Sequence, residues 1–431
     1  MRAVVAITAI ASAWALGVGA GMPILHDVSP AAATTSVDTP VASIGAPGAS
    51  VGAPVVNIGD RVPAMLDTIS QLKPEKISGF VDRNQSAIER TLTSADSARG
   101  VVNWWARLSI DERAVLTHDA ASVIGNLEGM PVSVRDRVNR AQLESRSKDL
   151  SAQAKAHPAT VTTANTAELA GLQSISAALQ SSQGEPKRSL VTFDPTGTAR
   201  AAIVIGDLDT ADAVSVLVPG MSYTVEGQLV DWTSTAQAVY NEQRAWLRRL
   251  GTPSTTVATV AWLGYKTPDL GTVLSAHDAQ EGAQRLDQLL NGIRALRAGH
   301  EPYLSVLAHS YGSTTALLAL SSGTVSVDAL ALIGCPGGKP SSVHDLDVKN
   351  GNVYVGSALF DPIAGSGFFG PDPGGSNYGA HRISTGAGID PLDGDILLPA
   401  IGHNGYFAAG TQSLRNLALI GMGNGILATH S

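Results

Sequence analysis

One serine in this chain sits where a hydroxyl could be made reactive. The apolar run 303–307 leads directly into Ala308-His309-Ser310-Tyr311-Gly312, after which the pattern turns helical. Small-x-Ser-x-Gly between a strand and a helix is the nucleophile-elbow arrangement, here with Ala in the first small position. Such a sharp turn holds the Ser backbone in a strained conformation and lifts its Oγ toward a helix N-terminus. Bulky residues two positions away on either side would collide. A plain strand–helix turn with a capping Ser uses similar residues. The strand before Ser310 and the helix after it favour the nucleophile.

A serine hydroxyl is a weak nucleophile at neutral pH, so it needs a general base that is itself oriented by a carboxylate. With elbows of this kind the chain order is Ser, acid, His. His344, His381, His403 and His430 lie downstream. His430 is expected to fray, His344 precedes the best acid, and His381 opens a short candidate strand over 381–385. His403 stands in the Gly-flanked run Ile401-Gly402-His403-Asn404-Gly405-Tyr406 ahead of a final helix, and is the expected base. Asp361, in Phe360-Asp361-Pro362, directly follows the candidate strand 353–359 and is the expected acid. Asp390, Asp393 and Asp395 are rivals in a Gly/Pro-rich loop, where Asp also serves turn formation. Asp328 precedes its strand and falls at the wrong end of a sheet.

Charge developing on a substrate oxygen needs preorganised donors. The candidate strand 214–218 ends in Pro219-Gly220-Met221-Ser222, where Gly220 lets the backbone approach closely. The backbone N–H of Met221 is the expected first donor and that of Tyr311 the second; a plain Pro-Gly turn is the alternative. Trp262 and Tyr265 follow a strand end and either line an acyl pocket or simply pack. Phe368 and Phe369 lie in the long Gly/Pro-rich stretch 365–402, which is expected to control access to the site.

These residues need a scaffold. From Ser189 onward, short apolar runs at 190–193, 201–205, 214–218, 256–261, 303–307, 329–333 and 353–359 alternate with helical stretches at 230–250, 276–298 and 314–320. The alternation predicts an α/β domain over 187–431, a mostly parallel sheet flanked by helices on both faces. The site should then lie at the carboxyl ends of the strands. Residues 60–186 predict a helical region with segments at 77–92, 101–116, 135–150 and 164–183. Ser109 ahead of Asp111 and Glu112, and Ser133 ahead of Val134, read as helix caps. Trp104 and Trp105 read as buried anchors.

Residues 1–33 carry Arg2 and then an uncharged apolar or small-residue run over 3–21, the pattern of a secretory signal. Small residues suited to cleavage occur at Val18-Gly19-Ala20 and Ala31-Ala32-Ala33. An uncleaved anchor is the alternative, because the run approaches the ~20 residues that span a bilayer. Residues 34–59 are Ala-, Pro- and Gly-rich and read as a flexible linker.

Among 431 residues, 29 Lys and Arg against 37 Asp and Glu give a net charge of −8, with no basic run of the kind that binds nucleic acid. Cys335 is the single cysteine, which excludes a disulfide framework, a CxxC pair and a Cys-based zinc site. With no Cys near the cleavage region, a lipoprotein is excluded as well. The run 334–339 has Gly spacing one residue short of a phosphate loop and is followed by Pro340. Asp207, Asp209 and Asp212 lack the Gly and Glu of a calcium loop. No metal and no cofactor is expected.

The segments VLVPGM (216–221), AWLGYKTP (261–268), AHSYGS (308–313) and GCPGG (334–338), together with Asp361-Pro362, resemble an actinobacterial α/β-hydrolase family known as a domain of unknown function. Trp105-Ala106-Arg107-Leu108 and residues 125–140 resemble the helical stretch that precedes that domain, so the likeness covers about 100–425. It implies the α/β-hydrolase fold and a Ser–Asp–His triad on Ser310, Asp361 and His403, and it supplies no substrate. Ala308 departs from the usual elbow Gly, and Cys335 stands where such proteins tend to have Ser.

The expectation is an exported serine hydrolase, secreted or associated with the cell envelope, that cleaves carboxylic esters of acyl or lipid type through an acyl-enzyme. Its partner would be a small or lipid-like ester, with membrane association through the N-terminus if the signal stays uncleaved. An amidase or peptidase with the same triad, or a hydrolase-fold binding module without turnover, is the alternative.

Overall fold

In the computed structural model, residues 62–92, 98–160 and 162–431 are described; the expected signal and linker over 1–59 lie outside them. Helices come first: α1 (Val62–Ser70), α2 (Pro74–Arg83), α3 (Gln85–Leu92), α4 (Ala98–Arg107), α5 (Ile110–Asp119), α6 (Ala121–Ile124), α7 (Val132–Ala156) and α8 (Thr163–Ala178). The expected helix over 77–92 is two helices, broken at Asn84, whose side chain turns back to donate to the Phe80 carbonyl at 2.8 Å. Ser109 caps α5 in a reciprocal box with Glu112, as its spacing predicts. Ser133 is not a cap. α7 already begins at Val132 behind Pro131, whose fixed φ of −54° leads the chain into the first turn. Met65, Ile69, Ile77, Val101, Trp104, Trp105, Leu127 and Val138 form the core of this region.

The α/β part follows as β1 (Arg188–Asp194), β2 (Arg200–Gly206), β3 (Ala213–Val218), α9 (Val225–Arg249), β4 (Val257–Leu263), α10 (His277–Leu296), β5 (Tyr303–His309) and α11 (Tyr311–Ala319). After these come β6 (Ala329–Ile333), β7 (Val353–Gly356), β8 (His381–Arg382), the hairpin β9 (Gly388–Ile389) and β10 (Ile396–Leu397), and α12 (Gln412–Gly421). The main sheet runs β1-β2-β4-β3-β5-β6-β7-β8. It is antiparallel from β1 through β4 and parallel from β4 to β8. Side chains alternate across it. Val214, Val216 and Val218 join one core with α10 and α11, while Leu217 joins the other with α9 and α12.

The strand expected over 353–359 ends at Gly356. Beyond it the Ala358 N–H bonds the Tyr406 hydroxyl, Leu359 keeps an isolated bridge to Ile401, and Phe360 turns the chain with a φ of +63°. Asp361 therefore sits in a turn past the strand, not directly at its end.

β1 would expose a bare edge, which sheets cover or charge. Here side chains from the helical region pair with its backbone. Asp136 accepts from Leu190 N–H at 2.8 Å and Asn139 donates to the Leu190 carbonyl at 3.1 Å. Asn126 bonds both the N–H and the carbonyl of Phe193, at 2.7 and 2.8 Å. The helical region is thus fixed on the β1 edge. Between it and β1, β2 and β4 a cavity of about 430 Å³ is lined by Glu89, Arg146, Arg200, Trp262 and Arg285, among others.

Candidate active site

Ser310 is the hinge residue between β5 and α11, with φ +57° and ψ −128°, a region that side-chain-bearing residues rarely occupy. Its small neighbours are required by contact. A Cβ on Gly312 would lie 2.4 Å from the Pro219 carbonyl oxygen, and one on Gly220 would lie 2.7 Å from Ser310 Cβ. Ala308 is the next-to-last residue of β5, in ordinary strand geometry and paired in register with Val218 and Leu332. That is why Ala is tolerated where Gly was the expected residue.

His403 approaches from the loop before α12. Its Nδ1 lies 2.9 Å from Oδ1 and 3.1 Å from Oδ2 of Asp361. A carboxylate can only accept, so Nδ1 carries the proton and Nε2 is left as an acceptor. Ser310 Oγ–H donates to that Nε2 at 2.7 Å. The Asp361 side chain is fully buried, and its Oδ1 also accepts from the N–H groups of Ile363 and Ala364, at 2.8 and 3.2 Å. Burial alone would push the Asp361 carboxyl up. The hydrogen bond and charge of His403, the Tyr406 hydroxyl and the Ile363 N–H outweigh it and hold it at about 2.

Three participants in this arrangement were not singled out from sequence. Tyr406, fully buried, donates its hydroxyl to Asp361 Oδ2 while accepting from Ala358 N–H at 2.8 Å. His309, directly before Ser310, is buried and bonds the His403 carbonyl through Nε2 at 2.7 Å. Gly334, at φ +59° after β6, leaves room for the pair, since a Cβ there would stand 3.0 Å from both Asp361 Oδ2 and His403 Cε1. The signal for Tyr406 was its place three residues after His403; nothing local distinguishes His309 from any other residue inside the elbow.

The expected oxyanion donors flank the serine. The Met221 and Tyr311 N–H groups have no hydrogen bond among the described residues. Met221 lies in the turn after β3, where Ser222 at φ +60° is held by its N–H on the Pro268 carbonyl at 2.8 Å. Tyr265 packs behind the turn. It is buried, and its hydroxyl donates to the Pro219 carbonyl at 2.7 Å, bracing that turn from behind. Trp262 stacks on Tyr265 with ring centroids 5.5 Å apart and borders the cavity under the helical region, away from Ser310. Phe369 stands edge-on to the Tyr311 ring at 5.3 Å, and Phe368 packs on Phe369 at 4.8 Å. The stretch 365–402 therefore touches the residue next to Ser310.

The rival groups are engaged elsewhere. Asp390 forms a buried ion pair with Arg415 at 2.6 and 2.9 Å, and Asp393 and Asp395 pair with Arg249. Asp328 pairs with Arg294 and Lys349. His344 is exposed in a short turn, and His381 lies beside Tyr354 and His430. Cys335 is buried, which pushes its thiol up to about 12, far from a nucleophile's range.

A mostly parallel sheet covered on both faces, with a strained strand–Ser–helix turn at its carboxyl edge, is the α/β-hydrolase architecture. The chain belongs to that family: the model described as alpha/beta hydrolase matches residues 194–371. An uncharacterized protein of Mycobacterium tuberculosis is 29% identical over 377 residues, covering 75% of this chain and 55% of its own. One of Mycobacterium bovis is 31% identical over 216 residues, covering 48% of this chain and 80% of its own. This chain thus spans about half the length of the first of these relatives. Among solved structures, dienelactone hydrolase from Anabaena variabilis is similar at 13% identity and a TM-score of 0.33, covering 57% of this chain and 100% of that one. The carboxylesterase EstE1 from a metagenomic library is similar at 13% identity and a TM-score of 0.32, covering 61% and 98%. These likenesses concern fold and say nothing of substrate.

Proposed function

We propose that this chain is a serine hydrolase of carboxylic esters with uncharged acyl groups, working through an acyl-enzyme. The observation that carries the reading is the unbroken line of hydrogen bonds from Ser310 Oγ through His403 to the buried Asp361. His403 Nε2 takes the Ser310 proton as Oγ attacks the ester carbonyl carbon. The oxyanion so formed is bound by the Met221 and Tyr311 N–H groups. His403 returns the proton to the leaving alcohol as the C–O bond breaks, which leaves Ser310 acylated. Water, deprotonated by the same nitrogen, then releases the acid. Asp361 stays ionised and stabilises the imidazolium. We also propose, from residues 1–33, that the enzyme acts outside the cytoplasm, as a secreted or envelope-associated protein.

The test is labelling with a fluorophosphonate, beside Ser310→Ala, followed by a dissolved short-chain ester and its amide analogue. Labelling confined to the wild type, with ester turnover, supports the reading. A folded wild type that stays unlabelled and inert removes it in favour of a binding module. Amide cleavage at a comparable rate would favour the amidase alternative.

A further inference from the structure

Large apolar side chains normally scatter singly over a surface, and a contiguous group of them marks an interaction site. Among the described residues Ile110, Val230 and Ile426 stand exposed singly, while the others gather on the loops around the site. Leu359 and Phe360, immediately before Asp361, are 56% and 75% exposed, and Ile401, two residues before His403, is 59% exposed. The backbone holds them together: Leu359 bridges Ile401, and the Leu359 carbonyl accepts from Gly402 N–H at 2.8 Å. The row continues through exposed Leu398 and Ile396, the latter paired across its hairpin with exposed Ile389. Exposed Leu270 and Leu274 stand on the segment bonded to the oxyanion turn at Ser222 and to Tyr311, whose hydroxyl donates to the Ser275 carbonyl at 2.7 Å.

Phe360 is the telling member. Its φ of +63° is a conformation that Asn or Gly would take with less strain, and its ring is mostly in water, so neither the turn nor the core accounts for Phe. Charge is missing from the loops that carry Leu359, Phe360 and Ile401, and returns only at their margins, with Lys266 and Asp269 beside Leu270 and with Asp393 and Asp395, paired to Arg249, in the β9–β10 hairpin. Residues 357–371 carry Asp361 alone, with its carboxylate buried, and residues 396–407 carry no Asp, Glu, Lys or Arg. Ser310 stands among these loops, so whatever covers them must also bring the bond to be cleaved.

We propose that Leu359, Phe360 and Ile401, with Leu270 and Leu274 beside the oxyanion turn, dock on an uncharged lipid–water interface, and that the substrate is an acyl ester presented in aggregated form. The inference rests on the ester-hydrolase reading and narrows its substrate class. An aggregate offers apolar surface to all of these side chains at once and demands no ion pairs. A dissolved ester leaves them in water.

The experiment uses the full chain and tributyrin, titrated through its solubility limit. The expected result is a rise in rate as the emulsion appears, beyond what saturation by dissolved ester gives. In Phe360→Asn/Ile401→Ser the ratio of emulsion rate to dissolved rate should fall about tenfold, the scale expected for losing apolar side chains from an interface; Asn is chosen because it accepts the positive φ. Leu270→Ser should lower the same ratio and decides the matter if the double variant folds poorly. Smooth saturation with no rise in the wild type, while dissolved tributyrin is cleaved, overturns the interfacial inference and leaves the esterase reading standing. A rise that both variants keep overturns it too. A dimer that the variants dissociate in sedimentation gives the surface to a second copy and overturns the inference. No cleavage in either phase removes both readings.

Discussion

His309 donates its Nε2–H to the carbonyl oxygen of His403 across 2.7 Å, with the two imidazole rings 4.7 Å apart. The residue before the serine is thereby tied to the residue expected to take its proton, although 93 positions separate Ser310 from His403. A carbonyl only accepts, so the His309 tautomer is fixed with the proton on Nε2. Burial, with the charge of His403, lowers its pKa to about 3, and the ring stays neutral.

That lowered value has a consequence for acid stability. Between about pH 6.5 and 3 the unfolded chain binds a proton at His309 and the folded chain does not, so stability falls as pH drops through that window. His309→Gln should flatten this part of the dependence, as read from urea unfolding at pH 7 and pH 4. The same variant should lower kcat more than it raises KM, because His403 loses its tether.

Asp361 behaves in the opposite sense. Its carboxyl is held at about 2, below its ordinary 3.8, so the stabilisation it contributes is present above pH 3.8 and is lost as pH falls toward 2. Asp361→Asn should cost on the order of 2 kcal/mol near neutrality, and the gap to wild type should close on acidification. Ester turnover should drop by about 10⁴ at neutral pH, because the imidazole would adopt the wrong tautomer.

Tyr406→Phe removes a donor from Asp361 Oδ2 and the acceptor used by Ala358 N–H. The cost should be about 1–3 kcal/mol, the price of leaving buried polar groups unpaired. The Asp361 pKa should rise, visible as a shift of acid unfolding to higher pH. Turnover should fall about tenfold without loss of fluorophosphonate labelling.

Gly220→Ala should impair the site from the other direction. The added Cβ would stand 2.7 Å from Ser310 Cβ and must displace either the serine or the oxyanion turn. Destabilisation of about 1–3 kcal/mol is expected, together with slower labelling at Ser310. Labelling as fast as wild type would show that the turn moves aside freely.

Asp390→Ala should separate structure from chemistry. Its carboxylate forms a buried pair with Arg415, which also stacks over Trp246 at 5.1 Å. Breaking that pair should cost about 3–5 kcal/mol because an uncompensated guanidinium is left inside. Folded protein below the new melting temperature should still label at Ser310.

The α/β architecture was legible because strands buried on both faces are written as short apolar runs, and the runs expected for β3, β5 and β6 fall within a residue or two of the observed elements. Ser310 was legible because a tertiary constraint is written locally: Gly312 is small because a Cβ there would meet the Pro219 carbonyl oxygen. Boundaries failed where tertiary contacts cut across the local pattern, as at Gly356, where an apolar run goes on but the strand does not. For Trp262 and Tyr265 the sequence left lining a pocket and packing both open, because it gives their place along the chain and not the layer they face; Trp262 borders the cavity under the helical region and Tyr265 is buried.

The chain order of Ser310, Asp361 and His403, and the residue types able to move a proton among them, are properties of the sequence alone. Whether they meet was decided by the fold. The parallel sheet carries three distant loops to one edge, and contacts such as His309 to His403 and Tyr406 to Asp361 are made between side chains that no spacing rule relates. The same holds for the exposed rim of Leu359, Phe360 and Ile401: hydrophobicity is written in the sequence, but exposure depends on which neighbours the tertiary structure supplies.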